Sequence, residues 1–366
     1  MKISEGQVLE ALRKVKYPGK DQDIVSMNLV SEIQIEGNKL AFSLTFERSN
    51  DPVISSVRKA CVKAVQKYLG KDVDIAGHIR VKAKEMVEGE RILPGVKNII
   101  AVASGKGGVG KSTVAVNLAV ATARLGYDVG LIDADIFGPS IPKMMKAENQ
   151  RPAVVVEDGK ELMIPVQSYG VSLLSIGFFV DPADAVVWRG PMATGALKQF
   201  ISQTKWGELD YLFIDLPPGT SDIHLTMVQE VPVTGAVVIT TPQQVALADA
   251  LKGINMFRSD KINVPVIGLV ENMAWFTPEE LPDNKYFIFG KDGGSELATR
   301  LNVPLLGQIP IVQGICEGGD QGKPVVLDST SPVAAAFEGL AKNVIRETDR
   351  RNADLPPTKI VEITKK

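Results

Sequence analysis

Nine residues, Gly105-Lys106-Gly107-Gly108-Val109-Gly110-Lys111-Ser112-Thr113, constrain this chain more than any other stretch. They fit the pattern G-x-x-x-x-G-K-[ST] and place a second lysine directly after the first glycine. Glycines let the backbone curl until several N–H groups converge on one anion. In that arrangement Lys111 reaches the terminal phosphates of a nucleotide and the Ser112 hydroxyl holds Mg²⁺. The motif needs a strand before it and a helix after it. Residues 98–103 (NIIAVA) are apolar and β-prone. Residues 114–121 (VAVNLAVA) read as a helix whose positive end faces the phosphates.

From residue 98 to 348 the chain alternates apolar β-rich runs with helical patterns. Strands are expected at 129–132, 171–176, 211–214, 236–240 and 266–270, with a last helix at 332–346. Such alternation predicts an α/β fold, a mostly parallel doubly wound sheet with helices on both faces. Ahead of it, residues 1–90 read as a small α+β domain: helices at 7–15 and 53–69, extended segments at 24–30, 31–35 and 40–47, and 78–82 closing a small sheet. A charged run at 85–91 and the turn Leu93-Pro94-Gly95 mark the boundary. Residues 349–366, with Pro356-Pro357, are expected to form a loosely held tail.

Carboxylates recur where expected strands end. Asp133 and Asp135 lie two residues apart, a spacing that points both to the same side of an extended chain. One of the pair can support the phosphate loop or the Mg²⁺ shell while the other orients water. The buried run 211–214 ends at Asp215 and continues Leu216-Pro217-Pro218-Gly219-Thr220. This fits an aspartate that holds a Mg²⁺-bound water opposite Ser112, with the Gly219 N–H placed to sense the γ-phosphate. Asn272, in Glu271-Asn272-Met273, offers a donor and an acceptor to an adenine edge. Lys106 is surplus to a phosphate loop served by Lys111. Across a dimer it can reach the other subunit's phosphates, a contribution worth about 10³–10⁵ in rate when an arginine supplies it.

Together GKGGVGKST, Asp133-x-Asp135, the Asp215 segment and Glu271-Asn272-Met273 resemble the deviant Walker-A ATPases. The segments 135–140 (DIFGPS), 187–192 (VWRGPM) and Ile288-Phe289-Gly290 followed by Gly293-Gly294 resemble the Mrp/ApbC iron–sulfur carriers within that group. The first ninety residues are similar to the FSCA-type iron–sulfur assembly module often fused to them. The resemblance implies a homodimer that binds ATP between subunits, hydrolyses it slowly and passes Fe–S clusters to apoproteins. In that scheme Gly105 to Thr113 hold the phosphates, Ser112 and Asp215 serve Mg²⁺, and Asp135 sets the water. Lys106 acts across the interface and Asn272 contacts adenine. Fe–S assembly proteins or apoprotein recipients are the implied partners.

The chain departs from that family in its thiols. Cluster-carrying members place a C-x-x-C pair between the Glu-Asn-Met and Ile-Phe-Gly segments; here residues 274–286 (AWFTPEELPDNKY) hold no cysteine. The small module's usual cysteine turn is Ser49-Asn50-Asp51-Pro52. Clusters want thiolates, typically four. Of the two cysteines, Cys316 ranks above Cys61, which falls in a helix as a small apolar residue. Two cysteines form no disulfide framework, the first residues lack the apolar core of a secretory signal, and no run approaches a membrane span; a cytoplasmic protein is expected.

With 41 basic against 43 acidic residues, no global field favours nucleic acid. Besides the carrier, two readings follow: a nucleotide-gated scaffold or metallochaperone that holds no cluster, and a partition or positioning ATPase binding membrane or DNA. The last wants a basic amphipathic terminal helix, which residues 355–366 do not supply, so neither membrane nor nucleic acid is expected as a partner. His224 is expected to be structural, and Arg189 to belong to a loop near the dimer face.

Overall fold

A computed structural model describes residues 4–18, 22–46, 53–70, 72–75, 78–83, 93–135, 138–157, 159–179, 190–219, 222–260, 262–278, 280–281 and 283–358. The turn 49–52, the charged run 85–91, Thr220 and Arg189 lie outside the described residues, as do Ile136 and Phe137. The chain divides into two compact units, Met1–Arg91 and Ile92–Lys366.

In the first unit α1 (Glu5–Leu12), β1 (Val30–Glu36), β2 (Lys39–Phe46), α2 (Ile54–Tyr68) and β3 (Ile79–Ala83) follow in order. Ser4 and Gln7 form a reciprocal capping box that starts α1. β1 and β2 pair antiparallel, while β2 and β3 pair parallel. Leu40, Phe42, Leu44 and Phe46 enter a core shared with Val8, Leu12, Val57, Cys61 and Val65. Residues 24–28, expected to be extended, form turns instead. The Asp23 carboxylate accepts from the N–H groups of Val25 and Ser26, and Asn28 has φ +55°. An aspartate that satisfies the next backbone donors draws the chain out of extended geometry.

The second unit runs β4 (Val96–Ser104), α3 (Lys111–Arg124), β5 (Val129–Asp133), α4 (Ile141–Met144), β6 (Ala153–Glu157), β7 (Lys160–Ile164), β8 (Val166–Ser168), β9 (Val171–Ser175) and α5 (Gly190–Ser202). It continues β10 (Leu209–Asp215), α6 (Asp222–Glu230), β11 (Gly235–Thr240), α7 (Gln244–Arg258), β12 (Val266–Phe276), α8 (Gly293–Leu301), β13 (Leu305–Ile311), α9 (Gln313–Gln321) and α10 (Pro332–Asp354). Eight strands form one sheet in the order β13-β12-β11-β4-β10-β5-β9-β8, and only β8 runs antiparallel to its neighbour. β4 lies near the middle, with β11 on one side and β10 on the other. The chain first builds one side of β4 and then the other, so the loop after β4 opens at the switch point where α/β sheets gather ligands.

β6 and β7 pair antiparallel in a separate hairpin. α10 continues two turns past residue 346, so the tail expected from 349 starts after Asp354. Near its C-terminal end Asn352 Nδ2 donates to Asn98 Oδ1, and Arg351 Nη2 donates to the Pro356 carbonyl and to Thr358 Oγ1.

Ten of the fourteen residues of α3 are buried, because the helix is roofed by α10 and floored by the sheet. Among them is Asn117, whose Nδ2 donates to the Thr113 carbonyl at 2.9 Å and whose Oδ1 accepts from the Val326 N–H at 3.1 Å. This amide ties the helix that follows the phosphate loop to the turn before α10. Replacing it by alanine leaves a buried N–H unmet. Asn117→Ala is expected to lower stability by about 2 kcal/mol with an unchanged m-value, read from the urea midpoint.

Candidate active site

The loop between β4 and α3 is shaped by close approaches that only glycine permits. At Gly105 a Cβ would stand 2.1 Å from the Asp249 carbonyl oxygen, so the loop rests directly on the backbone of α7. Gly110, at φ +79°, caps α3, and a Cβ there would lie 2.4 Å from Asn272 Nδ2. Gly108, at φ +84°, faces open space. Val109 is buried and anchors the loop between these glycines, while Lys106, Gly107 and Gly108 form its exposed rim. Thr113 and Ser112 line the cleft with Ser104, Asp135, Ser140, Met144 and Pro218.

Lys111 opens α3 and is only 6% exposed. Its Nζ lies 2.7 Å from Asp215 Oδ1, 3.3 Å from Ser112 Oγ and 3.9 Å from Asp135 Oδ2. Ser112 Oγ donates to Asp215 Oδ2 at 2.6 Å. Both oxygens of Asp215 are thus engaged by the first two residues of α3. Burial pushes the Asp215 carboxyl up, opposed by the charge and hydrogen bond of Lys111. A serine hydroxyl beside a carboxylate, in a cradle with no Cβ at Gly108, is a donor set of hard oxygens that fits Mg²⁺ shared with a phosphate ligand. Among the described residues no three His, Cys, Asp or Glu side chains gather to hold a metal on their own.

Asp133 and Asp135 differ in burial. β5 ends at Asp133, and the chain bends so that the Asp135 N–H donates back to Asp133 Oδ1 at 3.2 Å. Asp135 is left facing Lys111 in the cleft, whereas Asp133 is buried behind it. Parallel register sets Ser175 of β9, Asp133 of β5 and Asp215 of β10 side by side, and Ser175 Oγ donates to Asp133 Oδ2 at 2.9 Å. Burial first, and then the neighbouring Asp215, push the Asp133 carboxyl up to about 8. Neither Ser175 nor this upward shift was legible in the sequence, because register between distant strands is a tertiary property.

Two other expectations change. The Gly219 N–H donates to the Ser104 carbonyl at 2.9 Å, so it braces the loop start instead of facing a γ-phosphate. Asn272 is buried, and its Nδ2 donates to the Val109 carbonyl inside the phosphate loop at 2.8 Å. Its amide donor is therefore already taken by the loop. Its neighbour Glu271 accepts from the N–H groups of Gly294 (2.5 Å) and Ser295 (3.1 Å) at the start of α8.

The remaining candidates lie elsewhere. His224 is buried in α6 with its ring 6.4 Å from that of Phe257, a packing role. Cys61 is buried in the first unit, and burial pushes its thiol up to about 12, which leaves it a poor ligand. Cys316 is exposed on α9, its Sγ 3.9 Å from Asp320 Oδ2. After β12 the thiol-free stretch folds back so that Phe276 and Tyr286 exchange backbone hydrogen bonds, and Lys285 Nζ sits 3.9 Å from the centre of the Trp275 ring. No helix among the described residues is long and apolar enough to cross a membrane.

Residues 95–345 match the family model described as NUBPL iron-transfer P-loop NTPase, and residues 5–76 match one described as iron-sulfur cluster assembly protein. An iron-sulfur cluster carrier protein of Synechocystis is 42% identical over 344 residues, 93% of this chain and 97% of that protein. The iron-sulfur cluster transfer protein NUBPL of Dictyostelium discoideum is 46% identical over 263 residues, 72% of this chain and 80% of its own. Among solved structures, a nucleotide-binding protein from Archaeoglobus fulgidus in complex with ADP is 37% identical, with a TM-score of 0.56. That likeness covers 66% of this chain and 92% of the other.

The raised Asp133 gives a signed pH dependence. Unfolded, the carboxyl ionises near its ordinary value of 3.8; folded, burial and Asp215 push it up to about 8. Between those values the folded state binds more protons, so stability falls as pH rises through the window and levels off above it. Asp133→Asn mimics the protonated form and removes that linkage. In the absence of nucleotide, wild-type stability relative to Asp133→Asn is expected to fall with pH from 5 to 8, by up to about 1.4 kcal/mol per unit. Urea midpoints at matched pH values measure it, and parallel pH profiles for the two proteins would contradict the assignment.

Proposed function

The chain belongs to the iron-transfer P-loop NTPases, and from that premise we propose that it is an ATP-hydrolysing iron–sulfur cluster carrier. In this reading it binds ATP with Mg²⁺ between two copies of itself, hydrolyses it slowly in the cytoplasm, and hands Fe–S clusters to apoproteins. The observation that carries it is the interlock of Lys111, Ser112 and Asp215 in a cleft floored by glycine. The ADP complex of the Archaeoglobus relative supports a nucleotide in the same fold.

Each residue then has a physical task. The Lys111 ammonium is neutralised by Asp215; a triphosphate entering the cradle offers it a stronger partner. Backbone N–H groups of Gly105, Lys106, Gly107, Gly108, Val109 and Gly110 surround the β-phosphate, with Ser112 and Thr113 at the helix start beside it. Mg²⁺, when bound, neutralises charge building on the β/γ-oxygens. Ser112 Oγ and Asp215 hold that corner. Asp135, beside Lys111 at the cleft wall, accepts a hydrogen bond from the attacking water and aligns it with the γ-phosphorus. As the water oxygen bonds to phosphorus the bond to the β–γ bridging oxygen breaks, ADP leaves with that oxygen, and the water's proton passes to the released phosphate. Lys106, on the exposed rim, reaches the γ-phosphate of the facing subunit. Asn272 meets adenine with its amide oxygen.

Kinetics separate these tasks. Lys111→Ala is expected to abolish nucleotide binding, while Asp135→Ala keeps it and loses turnover. Specific ATPase activity of the wild type is expected to rise with protein concentration, and Lys106→Ala to lower it by about 10³ or more at saturating concentration. Flat specific activity across dilution in both proteins removes the role in trans.

The cargo step is tested through thiols. Anaerobic reconstitution with iron and sulfide is expected to give visible charge-transfer absorbance that Cys316→Ser abolishes and Cys61→Ser preserves. No absorbance in the wild type favours the scaffold reading, in which the same ATPase cycle serves iron–sulfur assembly without a bound cluster.

A further inference from the structure

The end of β12 holds three features that the nucleotide site alone does not need. Asn272 Nδ2 grips the Val109 carbonyl within the phosphate loop. Glu271, the residue before it, grips the N–H groups of Gly294 and Ser295 with Oε2 and accepts from Gln308 Nε2 with Oε1. Met273, the residue after it, adopts φ +55°, a conformation that L side chains rarely tolerate. It stands in an irregularity where β12 advances from Asn272 to Phe276 while β13 advances only from Ile309 to Ile311. The Met273 methyl would lie 3.6 Å from a Cβ at Gly110, so it too abuts the loop.

Strand neighbours point to opposite faces. Here that alternation sends the Asn272 side chain to the phosphate loop and the Glu271 side chain to the start of α8. The segment between is held at both ends, by the Phe276–Tyr286 backbone pair and by the Glu271 cap on α8. It presents Leu281, Tyr286, Phe287 and Ile288 to solvent. A bulge with a residue in a costly conformation is a joint that re-aims the chain beyond it.

We infer that Glu271, Asn272 and Met273 are positioning residues that couple the phosphate loop to residues 277–295. The coupling rests on the proposed ATP site. Filling that site draws the loop carbonyls and N–H groups into one geometry, and Asn272 moves with the Val109 carbonyl. The shift passes through the Met273 joint and the Glu271 cap. The state of the nucleotide is thereby displayed on an apolar surface outside the cleft.

Hydrogen exchange on the full-length protein tests this, with and without saturating ADP or a non-hydrolysable ATP analogue and with affinities measured separately. In wild type, nucleotide is expected to change exchange at 277–295, including the Gly294 and Ser295 amides. Asn272→Asp keeps the shape and replaces the donor by an acceptor facing Val109. It is expected to weaken nucleotide binding on the order of tenfold. At saturation it should still protect the phosphate loop while losing the response at 277–295. Met273→Gly keeps both hydrogen bonds and relieves the joint; it is expected to shrink the same response, and it decides the matter if Asn272→Asp does not fold. A merely structural role would alter stability and leave the nucleotide-dependent difference intact. Wild type that binds nucleotide with no change at 277–295, or variants that respond as wild type does, overturns the coupling. Wild type that binds no nucleotide overturns the ATP reading itself.

Discussion

The site depends on a lysine ammonium and a carboxylate removed from water together. Lys111 is 6% exposed and Asp215 fully buried, with 2.7 Å between charged atoms. Taking such a pair out of water costs several kcal/mol per ion, which only good geometry and further hydrogen bonds offset. Ser112 supplies the second bond to the carboxylate, so neither oxygen of Asp215 is left unmet. The pair is therefore satisfied within the protein, and one of its partners is replaceable by a ligand. A phosphate can substitute for Asp215 at the ammonium without Lys111 travelling, because the lysine is already fixed at the first position of α3. Pre-positioned charge of this kind needs little reorganisation at the moment of reaction.

That pair is placed by backbone more than by side chains. β4 and β10 are direct neighbours, and their register sets Asp215 beside Val102, two residues from the end of β4. The loop then spans from Ser104 to Lys111 over the backbone of α7, where Gly105 leaves no room for a side chain. Pro218 and the Gly219 N–H close the near side, the latter by bonding to the Ser104 carbonyl. Asn272 closes the far side. The loop is thus clamped at its start by β10's outgoing turn and near its end by β12. A backbone holding two left-handed glycines is in this way braced from both sides.

Much of this was legible because strand–loop–helix alternation and glycine spacing are local. The expected strands at 98–103, 129–132, 211–214, 236–240 and 266–270 lie within the observed sheet, the one at 171–176 overruns β9 by a residue, and the parallel α/β class followed from their alternation. β13 was missed because Gly307 and Pro310 suppress strand propensity. Proline is tolerated there because β13 is an edge. The β6–β7 hairpin carried a legible sign, Asp158-Gly159 between two β-prone runs, which is a turn dipeptide. In the site, residue types were readable and pairings were not. Asp133 and Asp135 share a motif yet end in different environments, since the strand stops between them. Asn272 was read as a ligand contact because its two-sided amide suits adenine. Its commitment to Val109 arises from two segments 163 residues apart in sequence.

Charge balance in the cleft is favoured by the raised Asp133 carboxyl. The cleft offers Lys106 and Lys111 against Asp135 and Asp215, two cations facing two anions, so an incoming polyphosphate meets no net repulsion from them. An ionised Asp133, in register beside Asp215, would tip the balance to net negative in a region of low dielectric where such charges act strongly. Burial opposes that ionisation, and so does the neighbouring Asp215, while the hydrogen bond from Ser175 works the other way and is outweighed. Asp133 therefore helps the anion site by withholding its charge. Its place deep in the strand register, not its presence in a D-x-D motif, is what lets it do so.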